Sequence, residues 1–174
     1  MKISLDLIKE LRNITAASVS DCRKVLEETA GDIQKSVALL RKRGLELAAK
    51  KGVQVAKEGR IESYVHMGNK VGVMLEVNCQ TDFVARNGEF CQFTKDVAMH
   101  IVAVNPAYIK REDVPADVIK EEKDAELFYK ANCLLDQAFV KDPSITIKDY
   151  LGILIAKFNE NIAVRRFIRY KIGE

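Results

Sequence analysis

The sequence predicts an α+β fold, in which an N-terminal three-helix domain precedes a small antiparallel three-stranded sheet packed with helices. Three observations lead there. Apolar residues recur at helical spacing through the first 45 residues, with clear start and stop signals. From Gly59 the period changes to two, with Ile61, Ser63, Val65 and Met67 alternating with Glu62, Tyr64 and His66. Beyond Phe90 the helical period returns, and from Ile162 to Ile172 β-branched and aromatic residues alternate with arginines, which reads as a last strand able to pair with the hairpin.

The helices come first. Ser4 suits the N-cap of a helix whose apolar positions are Leu7, Ile8 and Leu11. Ser18 with Asp21 three residues on is a capping-box variant, opening a helix with Val25 and Leu26 inside. Ala30-Gly31-Asp32 reads as a stop and a start, with Gly31 at the left-handed C′ position and Asp32 as the next N-cap. Ile33, Val37 and Leu40 follow, and Gly44 is expected to end that run. The Ala- and Lys-rich stretch 45–57 reads as a helical extension and linker. The expected domains are 1–50 and 59–174, joined by 51–58.

Gly68-Asn69 is a strong hairpin turn, and Val71, Val73, Leu75, Val77 and Cys79 share one face of the strand after it. Phe90, Phe93, Val97, Ile101 and Val104 predict a long helix ending before Asn105-Pro106. The charged stretch from Glu112 to about Leu135 is expected to be helical and solvent-facing. Thr146 and Asp149 open a further helix containing Tyr150, Leu151, Leu154, Ile155 and Phe158.

Composition narrows the function classes. The 174 residues are 48% hydrophobic and 30% charged, which is a folded domain and not a disordered tail. A net charge of +3 is far below the footprint of a dedicated nucleic-acid binder. Arg165, Arg166, Arg169 and Lys171 come without an aromatic stacking platform, so direct nucleic-acid binding is not expected. No apolar run approaches a membrane span, and the first residues, with Asp6 and Glu10, do not resemble a signal peptide. A cytoplasmic protein without membrane attachment is expected. Cys22, Cys79, Cys91 and Cys133 form no CxxC pair, so neither a zinc site nor a thioredoxin-like motif is expected.

Thr81-Asp82-Phe83-Val84 sits where an apolar strand stops and a helix starts. Thr81 suits the N-cap, which leaves Asp82 and Phe83 in the first turn near the positive end of the dipole. On pattern alone, the commoner role of such a ring is packing. His100 falls on the apolar side of its helix, where a buried, hydrogen-bonded imidazole is the commoner role. An enzyme built on Cys79, Asp82 and His66 or His100 fits no hydrolase spacing.

The segment Asn78-Cys79-Gln80-Thr81-Asp82-Phe83-Val84-Ala85 resembles the signature of the elongation factor Ts family. Further matches follow in order: Leu11-Arg12 and Thr15, Asp21-Cys22-Arg23-Lys24, Gly31-Asp32, Ala48-Ala49-Lys50-Lys51, Ala98-Met99-His100-Ile101, Asn105-Pro106, Glu160-Asn161-Ile162 and Val164-Arg165-Arg166. The resemblance covers nearly the whole chain and includes an N-terminal domain like the ubiquitin-associated type. It implies a guanine-nucleotide exchange factor for the translational GTPase elongation factor Tu, with or without bound GDP. Such a factor acts by differential binding without covalent chemistry or a cofactor, so no enzyme is expected.

By that resemblance Asp82 and Phe83 intrude beside the Mg²⁺ and phosphates of the GTPase, with Thr81 and Val84 flanking them. His100 matches a residue that reaches the partner, and Arg12 and Val19 flank a second contact loop, which includes Ala16. In that loop Ala16 and Ser18 stand where the family has glycines, and Val19 and Ser20 where it has methionines. A helical hairpin expected before Leu134-Leu135-Asp136-Gln137-Ala138-Phe139 is missing, with Ala138 where proline is common. Asn159 replaces a glycine but tolerates the left-handed conformation. The single sheet set resembles short family members, which pair so that two sheets complete one core. A homodimer is therefore expected, without an intersubunit disulfide, because Ile168 occupies the position of the bridging cysteine. The rival reading is an adaptor whose helical domain recruits another protein.

Overall fold

The computed structural model describes residues 3–15, 17–52 and 54–174. Ala16, part of the expected contact loop, and Val53, in the expected linker, lie outside the described residues. The chain divides into two compact units. One is Met1–Val55 with Asp149–Asn161; the other is Ala56–Lys148 with Ile162–Glu174.

In the first unit α1 (Leu5–Thr15), α2 (Val19–Glu28) and α3 (Ile33–Lys51) enclose Ile8, Leu11, Cys22 and Leu26. The caps follow the residues that predict them. Ser4 Oγ accepts from the Leu7 amide at 3.2 Å, Ser18 Oγ from Asp21 at 3.1 Å, and the Asp32 carboxylate from Lys35 at 2.9 Å. The Ser18 hydroxyl also donates to the Asp21 carboxylate at 2.7 Å. Two expectations are corrected. Gly31 is left-handed as expected, at φ 86°, but the C′ residue after α2 is Ala30, also left-handed at φ 54°, and Gly31 follows it and donates to the Leu26 carbonyl at 2.8 Å in a Schellman arrangement.

The second correction concerns Gly44, which does not end α3. It is buried inside the helix, and a Cβ there would lie 3.0 Å from the Gly152 carbonyl oxygen. Gly152 belongs to α8 (Ile147–Phe158), so the glycine serves close helix approach. This is also why Asp149–Asn161, placed by sequence with the second domain, groups with the first unit. Asn159 ends α8 at φ 54°.

In the second unit β1 (Glu58–Val65), β2 (Val71–Cys79) and β5 (Ala163–Lys171) form an antiparallel sheet in the order β1-β2-β5. At the hairpin Gly68 and Asn69 take φ of 89° and 55°. Gly59 admits no side chain, because a Cβ would lie 2.3 Å from the Val77 carbonyl oxygen. Period two divides β2 cleanly. Val73, Leu75, Val77 and Cys79 are buried, and α5 (Gly88–Val104) packs on the sheet with Phe90, Phe93, Val97 and Ile101 inside. Asn105 caps α5 in the left-handed conformation.

The charged stretch expected as one helix is broken into α6 (Ala116–Glu121) and α7 (Ala125–Asn132). Arg111 fastens it. Its guanidinium pairs with Glu126 at 2.6 Å and with Asp136 at 2.7 Å, and lies 4.7 Å from the Tyr129 ring centroid. Sequence reading gave no sign of the next element, a ribbon of β3 (Ala138–Phe139) and β4 (Asp142–Thr146). With two residues on one side and Pro143 on the other, it is too short for a periodic signal.

Candidate functional site

The segment between β2 and α5 is built around α4 (Asp82–Ala85), a single turn. One turn does not persist alone, because nucleation costs more than one hydrogen bond returns. Its ends are therefore tied. Thr81 is the N-cap, its hydroxyl accepting from the Val84 amide at 3.5 Å. The Cys79 thiol donates to the Thr81 carbonyl at 3.1 Å. At the far end Arg86 and Asn87 donate their amides to the Asp82 and Val84 carbonyls, each at 3.0 Å. Asn87 then caps α5 by accepting from Glu89 at 2.9 Å.

This frame sorts the four residues. Val84 and Ala85 point into the core. Phe83 points away and is 84% exposed, an unusual position for a benzyl side chain on a rigid mount. Asp82 is half-exposed beside it, its carboxylate 3.1 Å from the Arg86 guanidinium. The turn thus presents a ring and a carboxylate outward together. It holds no nucleophile with a positioned base, and no cluster of three metal-ligating side chains occurs among the described residues.

His100 lies elsewhere than its expected role requires. It is completely buried, and both ring nitrogens are engaged. Gln137 Nε2 donates to the Ala131 carbonyl at 2.7 Å, which leaves its oxygen to accept from His100 Nε2 at 2.9 Å. The Val140 amide donates to Nδ1 at 3.4 Å. One turn earlier on α5, the buried Asp96 carboxylate pairs with Lys141 at 2.6 Å. His100 and Asp96 therefore fasten the β3–β4 ribbon to α5, and a partner would reach the ring only after that ribbon moved.

Burial lowers the His100 pKa below its ordinary value of 6.5, against a smaller opposite effect of the Gln137 bond. The unfolded chain binds this proton at a higher pH than the folded chain does. Stability is therefore expected to fall as pH drops through about 6.5, until the folded imidazole protonates as well. Melting temperatures at pH 7.5 and 5.5 measure this. The decline should be shallower in His100→Gln, whose side chain does not titrate; equal declines would refute the assignment.

Arg12, on α1, and Val19, the first residue of α2, are both exposed and flank the connection between those helices. They belong to the other unit from Phe83. No helix among the described residues is long and apolar enough to cross a membrane.

Two segments of the chain, 4–127 and 124–174, match the family model described as Elongation factor TS. The chain is 47% identical over 196 aligned positions to Elongation factor Ts of Thermodesulfovibrio yellowstonii, covering 100% of this chain and 98% of that protein. It is 44% identical to the Carboxydothermus hydrogenoformans protein of the same name (99% of this chain, 90% of the relative) and 45% identical to that of Desulfotalea psychrophila (99% and 100%). An alignment of 196 positions against 174 residues leaves about 22 positions empty in this chain. The two family segments meet at 124–127, beside the connection from α6 to α7.

Proposed function

The chain belongs to the elongation factor Ts family, and from that premise we propose that it is a guanine-nucleotide exchange factor for elongation factor Tu in polypeptide chain elongation. The observation that carries the mechanism is Phe83, an exposed ring held on a turn tied at both ends, with the Asp82 carboxylate beside it. GDP on a GTPase is held by a phosphate cradle and by Mg²⁺, and both need fixed geometry. Phe83 is the wedge that displaces the elements holding them. Asp82 places negative charge where phosphate and metal must otherwise be satisfied. No covalent step is involved and no cofactor is required. A factor that binds the nucleotide-free GTPase more tightly weakens nucleotide binding by the same factor, and a thousandfold effect corresponds to about 4 kcal/mol.

Arg12 and Val19, in the ubiquitin-associated-like N-terminal domain, supply a second contact through exposed side chains that flank the α1–α2 connection. His100 acts indirectly, by holding the β3–β4 ribbon against α5.

The working unit is a homodimer in the cytoplasm, without nucleic acid or membrane. The support is the sheet face opposite α5. Register aligns Ile61 with Glu76 and Arg166, Ser63 with Met74 and Ile168, and Val65 with Gly72 and Tyr170. Ile61, Val65, Met74, Ile168 and Tyr170 are each 46–68% exposed. A second copy of the same face completes the core that one sheet leaves open.

The test is release of a fluorescent GDP analogue from elongation factor Tu with excess unlabelled GDP. The chain is expected to accelerate release by orders of magnitude at micromolar concentration. An unchanged rate would refute the exchange role and leave the adaptor reading.

A further inference from the structure

A charge pair with one buried member lies beside the turn that presents Phe83. Glu62, on the inner face of β1, is only 8% exposed. Its carboxylate accepts from Arg60 Nε at 2.8 Å and lies 3.2 Å from the Thr94 hydroxyl, which also reaches the Cys91 carbonyl at 2.9 Å. Arg60 Nη1 in turn reaches the Cys91 sulfur at 3.5 Å, and the Cys91 thiol faces the Ala85 carbonyl at 3.6 Å. That carbonyl belongs to the last residue of α4. A continuous polar chain therefore runs from the inside of the sheet to the C-terminal end of the four-residue helix.

Stability does not explain it. The Glu62 carboxylate is taken largely out of water while Arg60 stays partly exposed, and apolar side chains of similar volume commonly serve as well in such a place. What such a pair supplies is direction. Phe83 has almost no packing of its own, so its aim depends on how the two ends of α4 are held. Thr81 caps the N-terminal end, and the C-terminal end is held by the Arg86 and Asn87 amides and, at the Ala85 carbonyl, by the Cys91 thiol.

We propose that Arg60, Glu62 and Cys91 are positioning residues for nucleotide exchange: acting through the Ala85 carbonyl, they hold the orientation in which α4 presents Phe83 and Asp82. This rests on the exchange reading above. A loosened α4 leaves the docking surface in place, and the cost of ordering the turn is met only as the nucleotide site is disturbed. The maximal rate therefore falls while the concentration for half-maximal effect changes little.

The test is fluorescent-GDP release from elongation factor Tu, titrated with wild type, Arg60→Met/Glu62→Leu, Cys91→Ala and Cys91→Ser, with a melting curve for each. The double variant replaces the pair by apolar side chains. It is expected to melt at or above the wild-type temperature and to lose about three- to tenfold in maximal rate, with half-saturation within about twofold. Cys91→Ala is expected to fall in the same direction. Cys91→Ser keeps a donor and an acceptor at this position, on a shorter bond from Cβ, and is expected to recover part of the rate.

Wild-type rates in a well-folded double variant would overturn the proposal and leave the exchange reading intact. A wild-type chain that does not accelerate release would overturn both. A lowered melting temperature with raised half-saturation and unchanged maximal rate would identify a merely structural pair and also overturn it. If the double variant does not fold, equal maximal rates for wild type, Cys91→Ala and Cys91→Ser overturn the proposal by themselves.

Discussion

Phe83→Ala is expected to lower the stimulated release of GDP from elongation factor Tu by about ten- to a hundredfold, with the fold unchanged. The ring is 84% exposed, so truncating it removes little packing, and exposed substitutions of this kind shift stability by no more than about 0.5 kcal/mol. On a partner, the same ring can bury the large apolar area typical of an interface anchor. A loss of about 1.4–2.7 kcal/mol of differential binding is a ten- to hundredfold loss in rate. The kinetic form of the loss matters as much as its size. If the ring acts as a wedge, the maximal rate should fall, since the contact is strongest once the nucleotide site has been disturbed. If the ring only adds affinity, half-saturation should rise and the maximal rate persist. Stopped-flow release over a range of factor concentrations separates the two, and a variant with wild-type release throughout would remove Phe83 from the mechanism.

Where local chemistry decides local structure, the sequence was legible. Ser4, Ser18 and Asp32 cap the helices they precede, the long helix ends before Asn105-Pro106, Asn159 takes the left-handed conformation, and alternation in β2 sets which face is buried. The failures have a common origin. Gly44 carries the local mark of a helix stop, but its reason for being glycine is Gly152, more than a hundred residues away. Nothing near Ala30 announces a left-handed alanine; the Leu26 carbonyl and Gly31 impose it.

The site shows the same division. Thr81 as cap and Phe83 in the first turn could be read from the residues, but not which of the four side chains point outward. That depends on where β2 and α5 place the turn. His100 was read correctly as lying on the apolar side of its helix. The partners that occupy both its nitrogens come from Gln137 and Val140, in an irregular segment without periodicity. The chain from Glu62 to Ala85 joins residues up to 32 apart and leaves no periodic trace.

The second large effect concerns the open face of the sheet, and it follows from symmetry. Met74 sits on the central strand, directly across from Ser63 on one side and Ile168 on the other. In the free chain its side chain is half-exposed, so Met74→Lys places an ammonium in water there and costs the monomer little. In a two-fold dimer made by this face, one substitution enters the interface twice. Each ammonium would be buried among Ile168, Val65, Tyr170 and their symmetry mates, where an uncompensated charge costs about 3–5 kcal/mol. Two of them exceed the surplus that most interfaces of standard size hold in reserve. Light scattering at about 10 µM should therefore give twice the chain mass of 19.6 kDa for wild type and the single mass for Met74→Lys, at similar melting temperature. Arg12→Ala, in the other unit, serves as a control that should stay dimeric. A variant that retains the double mass would place the contact elsewhere on the chain, and a wild type at the single mass would end the dimer proposal.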